Sequence, residues 1–297
     1  MSKAQRGFSL ADGTLMTPLL AQPHPLTRKM PVVVAVQHVL REMFSQFTTN
    51  LNAICSSDDP ELVHQARVGW RRFRSALRLC RPVLAADAIP SWQALEALLT
   101  FLGELRDLDV ACTKTLPPLA EAYTAGDPRR IEAWEAMTQA LTQAASLRRK
   151  SVRYALQDPA VGVALLSITQ WLEELLVESA TGVVAIGQDV SLRQWARQRI
   201  ARLHAQLKDS RTNDGTLEGQ HRVRILAKRI RYGIEVVKPL LTTHQAQHWY
   251  KQAANLQASM GSARDLLQAA SLVAKLEGDR GLIEFLRGCA VGQRCLI

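Results

Sequence analysis

Three observations predict an all-α fold for this chain. Ala, Leu, Gln, Arg and Glu are frequent, and all of them favour helix. Aromatic residues make up only 5%, and no series of alternating β-branched and aromatic residues would build a sheet. Apolar residues recur at spacings of three and four in segments separated by Pro and Gly. With 297 residues, 47% of them hydrophobic, the chain can bury a substantial core.

The first predicted helix runs from residue 32 to about residue 51, because Val36, Leu40 and Phe47 can share one face. Residues 1–29 contain several Pro and Gly residues with little periodicity, and we interpret them as a flexible leader. Residues 291–297 are interpreted as a C-terminal tail.

The second helix is predicted to begin at Pro60. Asp59 can cap it, Pro suits the first helical position, and Glu61 favours the positive end of the helix dipole. Breakers such as Pro82 and Pro239 end helices further along. The helices after the first are predicted at about 60–80, 90–110, 114–125, 128–157, 160–179, 190–209, 216–238, 243–258 and 263–287.

The charge balance favours a polyanionic partner. Lys and Arg total 37 against 27 Asp and Glu, so the formal net charge is +10. Nucleic acid, an anionic membrane surface and a phosphate polymer would all suit such a chain, and a solvated basic surface is the alternative.

The cysteines and the hydropathy pattern indicate a compartment. The 5 cysteines are widely spaced without a Cys-x-x-Cys motif, so neither a disulfide scaffold nor a zinc knuckle is indicated. No run approaches the ~18 apolar residues of a membrane span. We therefore expect a cytoplasmic protein that does not insert into membranes.

The chain resembles itself in two places. Residues 64–82 align without gaps on residues 221–239, an offset of 157 (221 − 64). Downstream, Gly-Glu-Leu-Arg-Asp at 103–107 corresponds to Gly-Ser-Ala-Arg-Asp at 261–265, an offset of 158 (261 − 103). Two motifs in the same order at nearly the same offset predict the duplication of a half-domain.

Each copy of the first motif predicts a basic stripe along one side of a helix. At ~100° per residue, its members fall on one face with a width of about 100°. In the first copy they are His64, Arg67, Arg71, Arg74, Arg78 and Arg81, and in the second copy they are His221, Arg224, Lys228, Arg231, Glu235 and Lys238.

A ladder of like charges weakens an isolated helix, and it suits a ladder of anions instead. Arg presents a planar fork to phosphate oxygens, and successive turns lie ~5.4 Å apart, on the scale of neighbouring phosphates in a chain. The alternatives are a solvated basic face, or a seam neutralised by carboxylates from neighbouring helices.

These residues resemble the CHAD family, the conserved histidine α-helical domain. Its His-x-x-Arg-Val-x-x-Arg-Arg-x-Arg helix is present from His64 to Arg74. The second-half helix, His-x-x-Arg…Lys-Arg-x-Arg-Tyr, is present from His221 to Tyr232. The Leu-Gly-x-x-Arg-Asp-x-Asp stretch at 102–109 is also similar, and the resemblance covers roughly residues 30–290.

The resemblance implies two pseudo-symmetric four-helix bundles, with halves of about 30–157 and 160–290. The two His-bearing helices would line a basic central groove or pore. It also implies a polyphosphate-binding module associated with polyphosphate granules. Many relatives carry a CYTH domain with a Glu-x-Glu-x-Lys strand, which nothing here matches, so we expect a stand-alone member.

The predicted polyphosphate-binding residues are two histidines and the cations around the two stripes. They are His64, Arg67, Arg71, Arg72, Arg74, Arg78, His221, Arg224, Lys228, Arg229, Arg231, Arg197 and Lys238. Arg72 and Arg229 point off the stripe by about 100°, so they either reach the groove edge or pair structurally.

We expect no catalytic residue, metal or cofactor. The stripe histidines have cationic neighbours, which disfavour a bound metal. Asp107 and Asp265 are expected to orient a stripe arginine or to cap a turn. Glu235 is expected to hold Arg231 or Lys228 in position by pairing along the helix.

The sequence therefore predicts non-enzymatic binding of long-chain inorganic polyphosphate for granule association, storage or sensing. The expected location is the cytoplasm at polyphosphate granules, or another compartment such as the nucleus in a eukaryotic host. A sequence-independent nucleic-acid-binding protein is the alternative, although the stripe has few aromatics for base stacking. A metal-dependent phosphohydrolase would need a carboxylate cluster that is not evident.

Overall fold

The computed structural model describes residues 17–23, 26–84, 89–180, 191–213, 217–241, 243–259 and 262–295. Within these residues every regular element is helical and no strand occurs, which confirms the all-α prediction. No helix in this part of the chain is long and apolar enough to cross a membrane.

The helices are numbered here in chain order. They are α1 Val32–Ile54, α2 Pro60–Cys80, α3 Glu96–Val110, α4 Ala120–Thr124, α5 Pro128–Ala155, α6 Pro159–Ala180, α7 Leu192–Asn213, α8 Leu217–Val237, α9 Thr243–Ser259, α10 Ser262–Lys275 and α11 Arg280–Cys295. A π-helical turn, Ala111–Thr115, follows α3.

The two helices that carry the repeated motif begin and end alike. Each is 21 residues long, and each runs into a short 3₁₀ segment, Arg81–Val83 after α2 and Lys238–Leu240 after α8. Asp59 caps α2 as expected, since its carboxylate accepts a 2.8 Å hydrogen bond from the Glu61 amide. Duplication of the whole half-domain stays a prediction.

The predicted helix at 263–287 is wrong, because the chain breaks it into α10 and α11. Glu277 adopts a positive φ of 54°, and the Gly278 amide donates to the carbonyl of Val273 at 2.9 Å, which ends α10. Asp279 then caps α11 by accepting from the Leu282 amide at 2.8 Å. Since α11 continues to Cys295, the predicted tail at 291–297 is also wrong over most of its length.

The segment predicted as one helix at 114–125 contains the end of the π-helical turn, a 3₁₀ segment and the short α4. Pro117 and Pro118 supply no backbone N–H, so an α-helical ladder cannot pass through them.

The described part of the predicted leader lies against α1. The Leu19 amide donates to Asn50 Oδ1 and Asn50 Nδ2 donates to the Leu19 carbonyl, both at 3.0 Å. The Gln22 amide donates to Glu42 Oε1 at 3.0 Å, and Leu26 is buried. The expectation of a flexible leader is therefore wrong for these residues, and residues 1–16 lie outside the described part.

Close packing of α1 on α2 fixes the orientation of the first stripe. A Cβ on Gly69 would lie 2.7 Å from the Phe47 backbone nitrogen, so the two backbones approach too closely for a larger residue. Phe47 and Trp70 meet at a ring-centroid distance of 5.0 Å beside Phe73. These contacts turn the apolar side of α2 toward α1 and leave the stripe on the opposite side.

Helix α2 also contacts α3 and α8, while α8 contacts α7 and α9. Helix α10 reaches back to α3 and to the π-helical turn. The two helices that carry the stripes are therefore neighbours, as expected for helices that line one groove.

Candidate polyanion-binding site

The stripe on α2 presents a row of arginine side chains. Arg67 and Arg74 are half-buried, whereas Arg71 and Arg78 are exposed. Within the described residues, none of these four side chains forms a hydrogen bond or an ion pair. Their guanidinium groups are consequently available to an anion from outside.

Holding these cations together is unfavourable in the absence of an anion. Burial lowers the pKa of Arg67 and of Arg74, and the neighbouring Arg71 and Arg78 lower them further. A bound polyanion would relieve both the mutual repulsion and the lost hydration, so part of its binding energy comes from this strain.

His64 stands at the N-terminal end of the stripe and is half-buried. Burial lowers its pKa to about 4, the nearby Arg106 and Arg71 contribute in the same direction, and Glu61 opposes them. The free imidazole is therefore neutral at pH 7, with one nitrogen donor and one acceptor. An anion bound beside it would raise the pKa and favour uptake of a proton.

Two cations outside α2 extend the stripe, and sequence reasoning did not select them. Arg106 on α3 and Lys114 in the π-helical turn both lie close enough to His64 to lower its pKa. Arg106 belongs to the repeated Arg-Asp motif, which was a usable signal. No sequence signal marks Lys114, because the direction of its side chain depends on a π-helical turn that the sequence does not predict.

A glycine makes room for one stripe arginine. A Cβ on Gly103 would lie 2.8 Å from a terminal nitrogen of Arg67, so the guanidinium lies directly over this position of α3. Asp107, one turn further on, attracts the same guanidinium. Gln268 Nε2 donates to Asp107 Oδ2 at 3.1 Å and fixes the carboxylate. This agrees with the expectation that Asp107 orients a stripe arginine.

The two Arg-Asp motifs meet where α10 contacts α3. Asp107 lies within the electrostatic reach of Arg264 and Asp265, and its own pKa is raised by burial. Asp265 occupies the first turn of α10, where a carboxylate stabilises a helix. Within the described residues no three His, Cys, Asp or Glu side chains cluster as a metal site would require.

The stripe on α8 is partly neutralised from within. Arg231 Nε lies 3.6 Å from Glu235 Oε1, which confirms the prediction that Glu235 holds a stripe cation. The Tyr250 hydroxyl also donates to Glu235, at 3.5 Å. Arg231 is thus engaged, while Lys228 is half-buried and Lys238 is exposed beyond the end of α8.

The prediction that Arg72 binds the ligand is wrong. Its side chain is 4% exposed, and one terminal nitrogen donates to Gln46 Oε1 at 2.6 Å. The same nitrogen lies 3.5 Å from Glu42 Oε2. Because Arg72 is offset from the stripe by about 100°, its side chain points toward α1. There it binds Gln46 and Glu42. Arg229, its counterpart on α8, is half-buried and lies near Arg78.

A basic cavity of about 370 Å³ lies at the junction of α2, α7 and α8. Five arginines share its lining, and they are Arg78, Arg81, Arg199, Arg202 and Arg229. Sequence reasoning missed the two from α7 and selected Arg197 instead, which is exposed but does not line the cavity. Arg199 is held in place because its Nε donates to the Leu79 carbonyl at 3.2 Å.

The side chains of His221 and Arg224 lie outside the described residues, so their predicted roles stay predictions. The helix itself is continuous through both positions.

Comparison with known proteins places this arrangement in a family. The profile of the CHAD domain matches residues 38–274. The chain belongs to the CHAD family. Its fold is similar to the crystal structure of the CHAD domain from the plant Ricinus communis, with a TM-score of 0.76 and 26% identity over 94% of this chain and 92% of that chain. No curated protein matches this CHAD chain significantly. No CYTH domain is evident in the residues that the structure describes.

Proposed function

We propose that this CHAD domain binds long-chain inorganic polyphosphate without hydrolysing it. The row of arginines on α2 carries the proposal, because these side chains form no hydrogen bond or ion pair within the described residues and present a ladder of cations in a family associated with polyphosphate binding. From Arg67 to Arg78 the row spans about 16 Å of helix, enough to meet several consecutive phosphates.

The surroundings of the row support a linear ligand. Arg106 and Lys114 extend it at the His64 end, and the cavity shared with α7 and α8 extends it at the Arg78 end. A long anion can occupy these places together, whereas a short one reaches only some of them. Affinity should therefore increase with chain length and fall steeply with added salt.

Hydrolysis receives no support from the site. Metal-assisted phosphoryl transfer needs clustered carboxylates, whereas Asp107 lies near Arg67 and Arg264, and the described residues contain no group of three potential metal ligands. We therefore treat the site as a binding site only.

The proposal is tested by titrating the protein at one fixed salt concentration with long-chain polyphosphate, tripolyphosphate and RNA. Long polyphosphate should bind tightest, tripolyphosphate weakest, and no phosphate should be released. Affinity for RNA equal to or above that for polyphosphate would overturn the assignment to polyphosphate.

A charge-reversal pair locates the site. Arg71→Glu with Arg78→Glu should abolish polyphosphate binding while the far-UV circular dichroism is unchanged. Arg129→Glu with Lys150→Glu on α5 is the matched control, since it changes the net charge equally at exposed positions outside the stripe. Equal losses in both pairs would mean that net charge alone attracts the ligand.

A further inference from the structure

The last turns of α2 border a cavity that a polyphosphate chain would use only in part. It has a volume of about 580 Å³ and lies between α2 and the segment that leads into α3. This size is within the usual range for a small-molecule site. One wall is cationic and consists of Arg74, Arg78 and Arg81.

Another part of the lining is apolar. Trp92 forms it together with Ile89 and Pro90, and all three are half-buried. The Trp92 ring packs against Trp70 in a T-shaped arrangement, with centroids 6.1 Å apart and planes at 87°. A fixed aromatic ring beside a proline suits a flat ring by stacking. An inorganic phosphate chain has no apolar surface to place there.

A carboxylate completes the cavity. Glu96, in the first turn of α3, lines it and lies near enough to Arg74 to influence its pKa. A carboxylate repels phosphate, but it accepts hydrogen bonds from hydroxyl and amino groups, as acidic residues do from ribose in nucleotide sites. The cavity thus combines cations, a flat apolar wall and a hydrogen-bond acceptor.

The cationic wall continues into the neighbouring basic cavity. Arg78 and Arg81 line both cavities, and the second one adds Arg199 and Arg202 from α7. A ligand with a ring and a chain of phosphates could place the ring in the first cavity and run its phosphates across Arg78 toward the second.

We propose that the larger cavity binds a nucleoside polyphosphate, with its ring against Trp92 and its phosphates on Arg74, Arg78 and Arg81. This goes beyond polyphosphate binding and does not depend on it, because it rests on the apolar wall and on Glu96.

Calorimetric titrations with ATP and with tripolyphosphate, without divalent cations, test the proposal, because the two ligands differ mainly by the nucleoside. ATP should bind about ten-fold tighter, on the scale of one stacked base. Trp92→Leu should remove this preference by weakening ATP alone, and Arg81→Gln should weaken both ligands. Tyr154→Leu, at a side chain that is 79% exposed on α5, is the matched control and should change neither.

Either of two calorimetric results would overturn the nucleotide site. One is ATP binding no tighter than tripolyphosphate, and the other is Trp92→Leu weakening both ligands equally. RNA binding without ATP binding also counts against it.

Because Trp92 packs on Trp70, the variant could fail to fold, and a measurement on the unaltered protein covers that case. Saturation-transfer NMR should show stronger transfer to the adenine protons of ATP than to its ribose protons. Added tripolyphosphate should displace ATP and reduce this signal. Absence of transfer to the adenine protons would contradict the proposal. Trp92→Leu should leave long-polyphosphate affinity within about two-fold, so the two proposed functions can fail separately.

Discussion

Helices α2 and α8 have the same length and the same motif, but their charges are arranged differently. Within the described residues, Arg67, Arg71, Arg74 and Arg78 on α2 form no hydrogen bond or ion pair, whereas Arg231 on α8 is paired with Glu235. Under the proposed function, the α2 cations would therefore be available to a ligand, whereas one cation of α8 forms an internal ion pair. A repeated motif does not imply two equal half-sites.

The contrast is sharpest where the helices cross. Arg72 lies near Glu235, and Arg78 lies near Arg229. Arg229 is the repeat counterpart of Arg72 (229 − 72 = 157), and Glu235 is the counterpart of Arg78 (235 − 78 = 157). The two contacts therefore lie at equivalent positions of the repeat. One contact is attractive and the other is repulsive. We infer that the first stabilises the crossing, and that the second is relieved only when an anion lies between the arginines.

Arg78→Glu makes both crossing contacts attractive and has the largest expected effect. Affinity for long polyphosphate should fall by about 2–3 kcal/mol, the loss of one charged contact with added repulsion. The free energy of unfolding should be unchanged or higher, because Arg229 gains a partner. Titration and urea denaturation measure the two effects, and a parallel loss of stability would contradict the opposed roles.

Glu235→Arg makes both crossing contacts repulsive. The free energy of unfolding should fall by about 1–2 kcal/mol, because the half-buried carboxylate now serves Arg231 and lies near Arg72. Polyphosphate affinity should rise, since α8 gains a cation. Glu235→Gln separates the lost ion pair from the added charge and should give about half the destabilisation without the gain in affinity.

Gly103→Ala tests whether Arg67 must lie across α3. The added methyl group would meet the flexible end of Arg67 and displace it, so polyphosphate affinity should fall about three-fold. Stability should hold or rise slightly, because Ala favours helix over Gly. Unchanged affinity would show that the position of Arg67 does not matter for binding.

His64 gives the smallest effect, and it depends on pH. Since its pKa in the free protein is about 4, below the unfolded value of 6.5, the unfolded state binds more protons between these values. The contribution of His64 to stability is therefore present above pH 6.5 and is lost as the pH falls toward 4. Denaturation of the wild type and of His64→Gln at pH 7 and pH 5 measures the difference.

Binding should show the opposite sign for His64. A bound anion raises the pKa, so affinity should increase as the pH falls from 7 to 5, and His64→Gln should flatten that increase. The nearby Glu61 and Arg106 are present in both proteins, so the comparison isolates the imidazole.

Much of the fold could be predicted from local signals. The bounds of α2 followed from Asp59, Pro60 and Pro82, whose effects on the backbone are short-range. The break before α11 was missed because a single Gly278 within an apolar periodic pattern does not by itself end a helix.

The site was predictable along one helix but not between helices. The angular position of Arg72 was predicted, yet only packing showed that α1 covers it with Gln46. Arg199 joins the site through a contact with Leu79, far away in sequence, and no local pattern marks such a residue. Trp92 likewise becomes a candidate site residue only through the cavity that it lines.

The sense in which the helices cross has a further consequence. Residues later in α2 lie beside residues earlier in α8, so the two helices run in opposite directions. Inorganic polyphosphate reads the same from either end and has no polarity. It could follow α2 forward and α8 backward with the same contacts, whereas a 5′-to-3′ strand would meet the two helices in opposite senses. If polyphosphate binds as proposed, an antiparallel pair of cationic helices would distinguish it from a nucleic-acid strand by directionality, without recognising any base.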